Sequence, residues 1–150
     1  GMEEDTVVRL ARVGFDKMQG YLQGSFEAWK AAGEKVDMII NIEADELTMD
    51  IPHDDNLVVV DVRTEPEFAD GHVKGAQNIP LAEMTDIATI ANFEDNQNLY
   101  VHCGSGYRSV IAASLIKCQG VHNLRNILGG WAKIKEEKTI TVEKDVSVLN

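Results

Sequence analysis

Short apolar runs alternate with amphipathic stretches along the chain from about residue 36 onward. Residues 57–62 form a β-branched run between two polar, turn-forming clusters, and this pattern predicts a buried strand. Further strands are predicted at 36–42, 99–103 and 124–128, with a short extended piece at 75–80.

Apolar residues at helical spacing fill the segments between these strands. Thr64 and Pro66 suit the cap and the first turn of one helix, which Gly71 ends. Other helices are predicted at 44–49, 85–93, 109–119 and 131–137. Strands that alternate with helices predict an α/β fold with a mainly parallel sheet.

Residues 1–35 fit this pattern less well and are predicted to be a separate, helical N-terminal segment. Part of the segment repeats the end of the following domain with a one-residue gap: residues 14–18, 21–22, 24–26 and 29 echo residues 120–124, 127–128, 129–131 and 134. Two interpretations stay open. The segment is the truncated end of a preceding domain of the same kind, or it is an added amphipathic helix that packs on the sheet.

Residues 139–150 follow the predicted domain, residues 36–138, as a C-terminal tail. Its β-branched residues Ile140, Val142, Val146 and Val148 stand at even spacing, which is compatible with an edge strand or a partner-binding arm. A frayed tail is the alternative.

Composition narrows the class of protein. Of the 150 residues, 44% are apolar and 26% are charged, as in a globular domain. The formal net charge of −11 argues against nucleic acid and anionic membranes as partners, because both select basic patches. No apolar run approaches the roughly 18 residues that span a bilayer, and two cysteines are too few for a disulfide framework. We therefore expect a cytoplasmic protein.

Cys103 stands at the end of a predicted strand, directly before a glycine-rich turn and a helix. That position is where α/β sheets place ligands. Backbone N–H groups of such a turn, together with the helix N-terminus, stabilise a thiolate and lower the pKa of the thiol. Gly104 and Gly106 supply unusual backbone angles. Arg108 adds a positive charge on the rim, and Ser109 is suited to cap the helix or to face the bound anion.

The remaining cysteine, histidine and tryptophan side chains are assigned structural roles. Cys118 lies on the inner pattern of a helix and is expected to be an inert, buried side chain. His102 is expected to point away from the mouth of the site as a packed or loop-supporting residue. Trp29 and Trp131 are interpreted as core or helix-anchoring aromatics. Cysteine and histidine show no zinc-ligand spacing, so no metal and no cofactor is expected.

Three segments of the chain, in order, resemble the rhodanese homology pattern. They are Asp61-Val62-Arg63 with residues 65–68 and 71–80, the loop at 101–109, and the closing Leu128-Gly129-Gly130-Trp131. The resemblance covers roughly residues 39–138, and its loop matches single-domain members. It implies a three-layer fold in which helices flank a central, mainly parallel five-stranded sheet. It also implies that Cys103 cycles between thiol and persulfide inside a loop of Gly104, Ser105, Gly106, Tyr107, Arg108 and Ser109.

The same resemblance implies that Asp61 and Arg63 support the loop from the neighbouring strand end, with a surface ion pair as the alternative for Arg63. The reaction it implies is transfer of sulfane sulfur from thiosulfate or a low-molecular-weight persulfide to a thiol or cyanide. Four residues separate Cys103 from Arg108, whereas similar phosphatases have five. Because the tighter loop suits a terminal sulfur better than a phosphate, a phosphatase or arsenate reductase is the disfavoured alternative.

A sulfur-relay or regulatory module within a larger protein is a further interpretation, and the intact cysteine loop serves it equally well. The chain is similar to the C-terminal part of proteins that fuse a metallo-β-lactamase-fold persulfide dioxygenase to rhodanese domains. That similarity implies a fused or associated upstream domain and a role in sulfur metabolism.

Overall fold

The computed structural model describes residues 1–12 and 14–145, which belong to two compact units. The first unit is Gly1–Met38, and the second begins at Ile39. Within the described ranges, no helix has both the length and the apolar character that crossing a membrane requires.

Seven helices and seven strands are defined in the described residues. The helices are α1 (Glu3–Ala11), α2 (Ser25–Ala31), α3 (Ala44–Asp50), α4 (Glu65–Ala69), α5 (Ile87–Ile90), α6 (Tyr107–Cys118) and α7 (Trp131–Ile134). The strands are β1 (Ile40–Ile42), β2 (Leu57–Asp61), β3 (His72–Val73), β4 (Gln77–Asn78), β5 (Asn98–His102), β6 (Leu124–Ile127) and β7 (Val142–Glu143).

The second unit is built on a five-stranded sheet in the order β1-β6-β5-β2-β4, in which every neighbouring pair is parallel. This arrangement confirms the predicted α/β fold and its parallel sheet. The strand predicted at 36–42 is shorter than expected and begins only at Ile40, where pairing with Arg125 of β6 starts.

One predicted helix is replaced by two shorter elements. Instead of a continuous helix over 85–93, a 3₁₀ helix spans Leu81–Thr85 and α5 spans only Ile87–Ile90. Asp86 separates them because its backbone is extended, and its carboxylate accepts the N–H of Ala88 as the cap of α5. The apolar spacing was therefore correct, but a local cap interrupts the helix.

Helices cover both faces of the sheet. On one face Leu47 of α3 and Ile134 of α7 join Val59, Tyr100 and Ile127 in a buried cluster. The other face lies against α6, which contacts β5, β6 and the 3₁₀ helix. Side chains of successive strand residues alternate between these two layers, so the central strands are buried on both sides, as the three-layer prediction requires.

The chain after α7 returns to the domain. Val142 of β7 pairs with Val73 of β3 in a small antiparallel sheet, and Ile140 is buried in the core. The tail thus contributes an edge strand, although to this two-stranded sheet rather than to the central one. Val146 and Val148 lie outside the described residues.

The first unit has exposed apolar side chains in place of a core. Met18, Tyr21 and Trp29 are 39%, 72% and 43% exposed. Of the two roles predicted for Trp29, core or helix-anchoring, the core role is wrong. Its indole N–H donates to the carbonyl of Lys35, beyond the end of α2. The short helix α2 buries none of its side chains.

Positive φ angles recur at three pairs of positions that the sequence echo aligns, although the strand β6 has no counterpart among the described residues of the first unit. The φ angles are 94° at both Gly14 and Gly120, 83° and 69° at Gly24 and Gly129, and 55° and 53° at Ser25 and Gly130. Ser25 is the single non-glycine residue with positive φ in the described part of the chain. A common origin of the two segments remains a prediction.

Candidate active site

The site lies where the central strand of the sheet ends. β5 stands third in the order of five strands, and Cys103 follows its last residue, His102. All five strands are parallel, so their carboxyl ends share one edge, and the loop from Cys103 to Gly106 opens there into α6.

The sulfur of Cys103 is buried among hydrogen-bond donors. The residue is 1% exposed, and its Sγ accepts the N–H of Gly106 at 3.1 Å. Gly106 precedes α6 with φ of 108°, a left-handed angle that glycine adopts without strain. Sγ also lies 3.6 Å from the hydroxyl oxygen of Ser109. The helix start and the glycine turn thus converge on one atom.

These donors favour the thiolate. Burial alone raises the pKa of the Cys103 thiol, but it is outweighed by hydrogen bonds from the Ser109 side chain and from the N–H groups of Ser109, Gly106 and Ser105. The pKa therefore lies below its usual value, as the sequence predicted. The thiolate that these donors favour is the nucleophilic form of cysteine.

Ser109 takes one of its two predicted roles. Gly106, and not Ser109, is the N-cap of α6, so the prediction of a serine cap is wrong. Because α6 begins at Tyr107, Ser109 sits inside the first turn, where its hydroxyl donates to the carbonyl of Gly106. With Cys103 as a thiol, the Ser109 oxygen accepts the S–H; with Cys103 as a thiolate, the hydroxyl turns its single proton from the carbonyl to the sulfur.

The first residues of α7 hold the cysteine loop through backbone hydrogen bonds. The N–H groups of Trp131 and Ala132 donate to the carbonyls of Cys103 and Gly104, at 2.6 Å and 3.1 Å. In a trans peptide the C=O and the following N–H point in opposite directions. Fixing these two carbonyls toward α7 therefore turns the N–H groups of Gly104 and Ser105 away from it.

Gly130 permits this close approach. A Cβ placed there would overlap the carbonyl oxygen of Cys103 and lie 3.0 Å from its carbonyl carbon, and φ at Gly130 is 53°. Both the space and the backbone angle therefore require glycine. The sequence motif Leu128-Gly129-Gly130-Trp131 predicts a turn here, but only the structure shows that the N–H groups after this turn bind the carbonyls of the cysteine loop.

Arg108 lies at the loop rim but is already paired. Its Nη1 and Nη2 donate to the two carboxylate oxygens of Glu67, at 2.7 Å and 2.8 Å. The pair lowers the pKa of Glu67 to about 2, chiefly through the hydrogen bond from Arg108. A Cβ on Gly104 would lie 3.2 Å from Nη2, so the guanidinium borders the loop.

Glu67 was not among the predicted site residues. Its signal in the sequence was the spacing from Thr64, because the two residues form a capping box at the start of α4. The oxygen Oε2 of Glu67 accepts from the backbone and the hydroxyl of Thr64 as well as from Arg108.

Asp61 and Arg63 form a buried pair, so the alternative of a surface ion pair is wrong for Arg63. Asp61 is fully buried and Arg63 is 3% exposed. Arg63 Nη2 donates to Asp61 Oδ2 at 2.6 Å and to the carbonyl of Gly71 at 2.7 Å. The guanidinium also stacks 4.6 Å from the ring centroid of Trp131, so the pair packs against the first residue of α7.

The two other side chains of the loop and the second cysteine are exposed to solvent. Ser105 and Tyr107 are exposed at the mouth of the site. Cys118, expected to be buried, is an exposed free thiol at the end of α6. Cys118 lies two residues beyond Ile116, the last buried residue of α6, and two residues turn the helix by about 200° to its opposite face.

Residues 43–137 match the family model described as the Rhodanese-like domain. The chain belongs to the rhodanese family. It is 32% identical over 74 residues to thiosulfate sulfurtransferase GlpE of Pseudomonas fluorescens, an alignment that covers 49% of this chain and 66% of GlpE. It is 31% identical over 99 residues to YrkF of Bacillus subtilis, which covers 66% of this chain and 52% of YrkF. The rhodanese chain thus spans about half to two thirds of the length of these curated relatives.

A crystal structure of a rhodanese-like domain protein from Staphylococcus aureus superposes with a TM-score of 0.62 at 25% identity. The superposition covers 72% of this chain and all of the other. Fold and family therefore agree, and rhodanese relatives that are named sulfurtransferases place the chain in a sulfurtransferase family.

Proposed function

We propose that this protein is a rhodanese-type sulfurtransferase that carries sulfane sulfur as a persulfide on Cys103. The observation that supports it most is the buried Sγ at the end of β5, which receives the N–H of Gly106 and faces the hydroxyl of Ser109. A site that stabilises a thiolate stabilises the persulfide anion in the same way, since both place negative charge on sulfur.

In the first half-reaction the Cys103 thiolate attacks the outer sulfur of thiosulfate or of a low-molecular-weight persulfide. A new S–S bond forms to Cys103 while the S–S bond of the donor breaks. The electron pair of that bond leaves with sulfite or with the donor thiolate. The terminal sulfur, now anionic, takes over the hydrogen bonds that the thiolate had received.

In the second half-reaction a cyanide or thiolate acceptor attacks the terminal sulfur. The bond to Cys103 breaks, Sγ departs as a thiolate, and the product is thiocyanate or a new persulfide. No proton needs to be removed from Cys103 in either step once the thiolate has formed, which fits the lowered pKa of the thiol. Ping-pong kinetics follow from the two separate steps.

The position of Arg108 supports sulfur transfer over phosphate ester hydrolysis. Both terminal nitrogens of its guanidinium donate to Glu67, so the fork that recognises a tetrahedral anion is occupied. A guanidinium fork is suited to two oxygens of a phosphate, whereas the single sulfur atom here is held by N–H groups of the loop.

A sulfur-relay role within a larger protein is a second candidate. In the domain, Leu124, Ile127 and Ile134 are nearly fully buried, whereas their echoes in the first unit, Met18, Tyr21 and Trp29, are exposed. The repeated φ angles support the interpretation of the first unit as the end of a preceding rhodanese-like domain. Sulfur on Cys103 would then be delivered to a partner thiol, and the donor made elsewhere in the same protein.

The proposal is tested by treating the protein with thiosulfate or glutathione persulfide as donor and with cyanide or excess thiol as acceptor, and by measuring the thiocyanate or sulfide formed. Mass spectrometry then locates the added sulfur. We expect turnover and one added sulfur on Cys103, both lost in Cys103→Ser. Cys118→Ser is the matched control and is expected to behave as wild type, because Cys118 lies outside the site.

Two results would overturn the proposal. One is wild-type protein without turnover and without sulfur on Cys103 after donor treatment. The other is hydrolysis of an aryl phosphate that disappears in Cys103→Ser, which would establish the phosphatase instead.

A further inference from the structure

His102 is a fully buried side chain for which the sulfur-transfer mechanism has no use. It is the last residue of β5, directly before Cys103, and its register partner on β2 is Asp61. The hydrogen bonds to Sγ come from other residues. The imidazole can therefore influence the sulfur only through the residues that it contacts.

The two ring nitrogens of His102 have unlike surroundings. Nδ1 lies 3.3 Å from the carbonyl oxygen of Cys103. Nε2 is buried without a hydrogen-bond partner among the described residues and lies 3.7 Å from Oδ2 of Asp61. Asp61 does not supply the missing hydrogen-bond partner of Nε2, because both of its carboxylate oxygens already accept hydrogen bonds from Arg63.

The surroundings select one protonation state of the ring. Burial lowers the pKa of His102, the charge of Arg63 lowers it further, and Asp61 and the Cys103 carbonyl oppose them with a smaller effect. His102 is therefore neutral and holds one ring proton. The carbonyl of Cys103 accepts but cannot donate, so the 3.3 Å contact requires that proton on Nδ1.

That proton gives the Cys103 carbonyl a second donor. The same oxygen accepts the N–H of Trp131 at 2.6 Å, and a carbonyl has two lone pairs for two donors. Trp131 in turn stacks on Arg63, and Arg63 binds Asp61 beside the imidazole. His102, Trp131 and the Asp61–Arg63 pair therefore contact one another around the carbonyl of Cys103, the first carbonyl of the sulfur-binding loop.

We propose that His102 is a positioning residue for sulfur transfer. Its Nδ1–H helps Trp131 to hold the Cys103 carbonyl, and so fixes the first peptide plane of the loop from which the sulfur-binding N–H groups of Ser105 and Gly106 follow. The proposal rests on Cys103 as the sulfur carrier, and the imidazole itself touches neither donor nor acceptor. In this tautomer Nε2 carries no proton and is an acceptor, and it is buried without a donor among the described residues.

Two substitutions separate the two nitrogens. In His102→Asn the side-chain amide can donate from the place of Nδ1, whereas in His102→Gln it reaches the place of Nε2. The measurement is the pH dependence of Cys103 alkylation by iodoacetamide, in a Cys118→Ser background that removes the exposed thiol. Single-turnover sulfur loading and the melting temperature are measured on the same samples.

We expect His102→Asn to keep the wild-type alkylation midpoint, and His102→Gln to raise the midpoint and slow sulfur loading by about tenfold. Equal midpoints in both variants, with only the melting temperature lowered, would show a merely structural histidine and overturn the proposal. Failure of sulfur loading in wild type would refute the transferase function, while the alkylation midpoints would still decide the role of His102.

A measurement on the wild-type protein guards against variants that do not fold. Nitrogen-15 NMR of the imidazole distinguishes the two neutral tautomers by their chemical shifts. We expect the Nδ1–H form at neutral pH. Observation of the Nε2–H form, or of an imidazolium, would overturn the proposal whatever the variants do.

Discussion

Arg108 and Glu67 form a two-pronged ion pair that joins the end of the sulfur-binding loop to the first turn of α4. Its N–O distances are 2.7 Å and 2.8 Å. Glu67 also accepts two hydrogen bonds from Thr64, so one carboxylate caps a helix and orients an arginine at once. The positive charge at the rim is fixed by this contact rather than left free for substrate.

Replacing Glu67 by Gln is expected to weaken the fold by about 1 kcal/mol at neutral pH, a modest value because the pair is partly exposed to solvent. The pKa of Glu67 falls from an ordinary 4.5 to about 2 on folding. Its contribution is therefore complete above pH 4.5 and is lost as the pH falls toward 2. Urea denaturation at several pH values measures the free energy of unfolding.

Glu65→Gln is the matched control, since Glu65 is an exposed carboxylate in the same helical turn. It is expected to change stability little and without this pH dependence. A difference between wild type and Glu67→Gln that stays constant from pH 7 to pH 2 would contradict the assigned role of the pair.

Ser109→Ala is expected to raise the pKa of the Cys103 thiol, because the serine hydroxyl is the strongest of the hydrogen bonds that lower it. The midpoint of Cys103 alkylation should move to higher pH, and sulfur loading at neutral pH should slow. The control is Ser114→Ala on the same helix, whose hydroxyl donates to the carbonyl of Val110. If both variants titrate alike, Ser109 has no special effect on the sulfur.

Gly130→Ala tests the close contact between α7 and the loop. Gly120→Ala is the matched control: φ is positive at both positions, but a Cβ at Gly120 meets nothing within 4 Å. The control should lose about 1–2 kcal/mol from backbone strain alone, and Gly130→Ala about 2 kcal/mol more from the added overlap. Sulfur loading should fall only in Gly130→Ala, and equal losses of stability would disprove the packing argument.

Asp61→Asn should destabilise the protein by about 3–5 kcal/mol, because it leaves Arg63 buried without its counter-charge. Asp70→Asn breaks an exposed ion pair with Lys144 and should cost less than about 1 kcal/mol. Chemical denaturation of the two variants gives the comparison. A cost below that of Asp70→Asn would mean that the buried pair contributes nothing to the fold.

Two echoed positions give a test of the first unit. Ile127→Ala removes a fully buried side chain and should cost about 2–5 kcal/mol. Tyr21→Ala removes its exposed counterpart and should leave the unfolding of the second unit unchanged. Hydrogen exchange should show β6 protected and residues 15–22 exchanging quickly. Protection of both segments would favour a packed amphipathic helix over the end of a preceding domain.

The order of elements and the cysteine loop could be predicted because they depend on local signals. The run at 57–62 and the glycines around Cys103 specify a strand and a turn by composition alone. The helix predicted at 85–93 failed because a single side chain, Asp86, capped a shorter helix and so overrode the apolar period.

Contacts between distant residues were harder to predict. Glu67 meets Arg108 across 41 positions, and nothing local to either residue announces the pair. Arg63 could not be placed from its strand alone, because its burial depends on Trp131 and on the carbonyl of Gly71. The burial of Cys118 was predicted wrongly because the apolar pattern of a helix does not show how far along the helix the residues packed against it extend.

The space that Gly130 leaves for the Cys103 carbonyl has a consequence for how relatives diverge. A lineage that keeps the sulfur-binding loop cannot accept a side chain at position 130, whereas one that abandons sulfur chemistry is released from that restriction. We therefore expect glycine at 130 and cysteine at 103 to be gained and lost together. In the first unit the echoed position is Ser25, which has the backbone angle of Gly130 but carries a side chain. A preceding domain that ended in this serine would meet the same overlap at its own loop, so we expect such a domain to lack a sulfur-carrying cysteine.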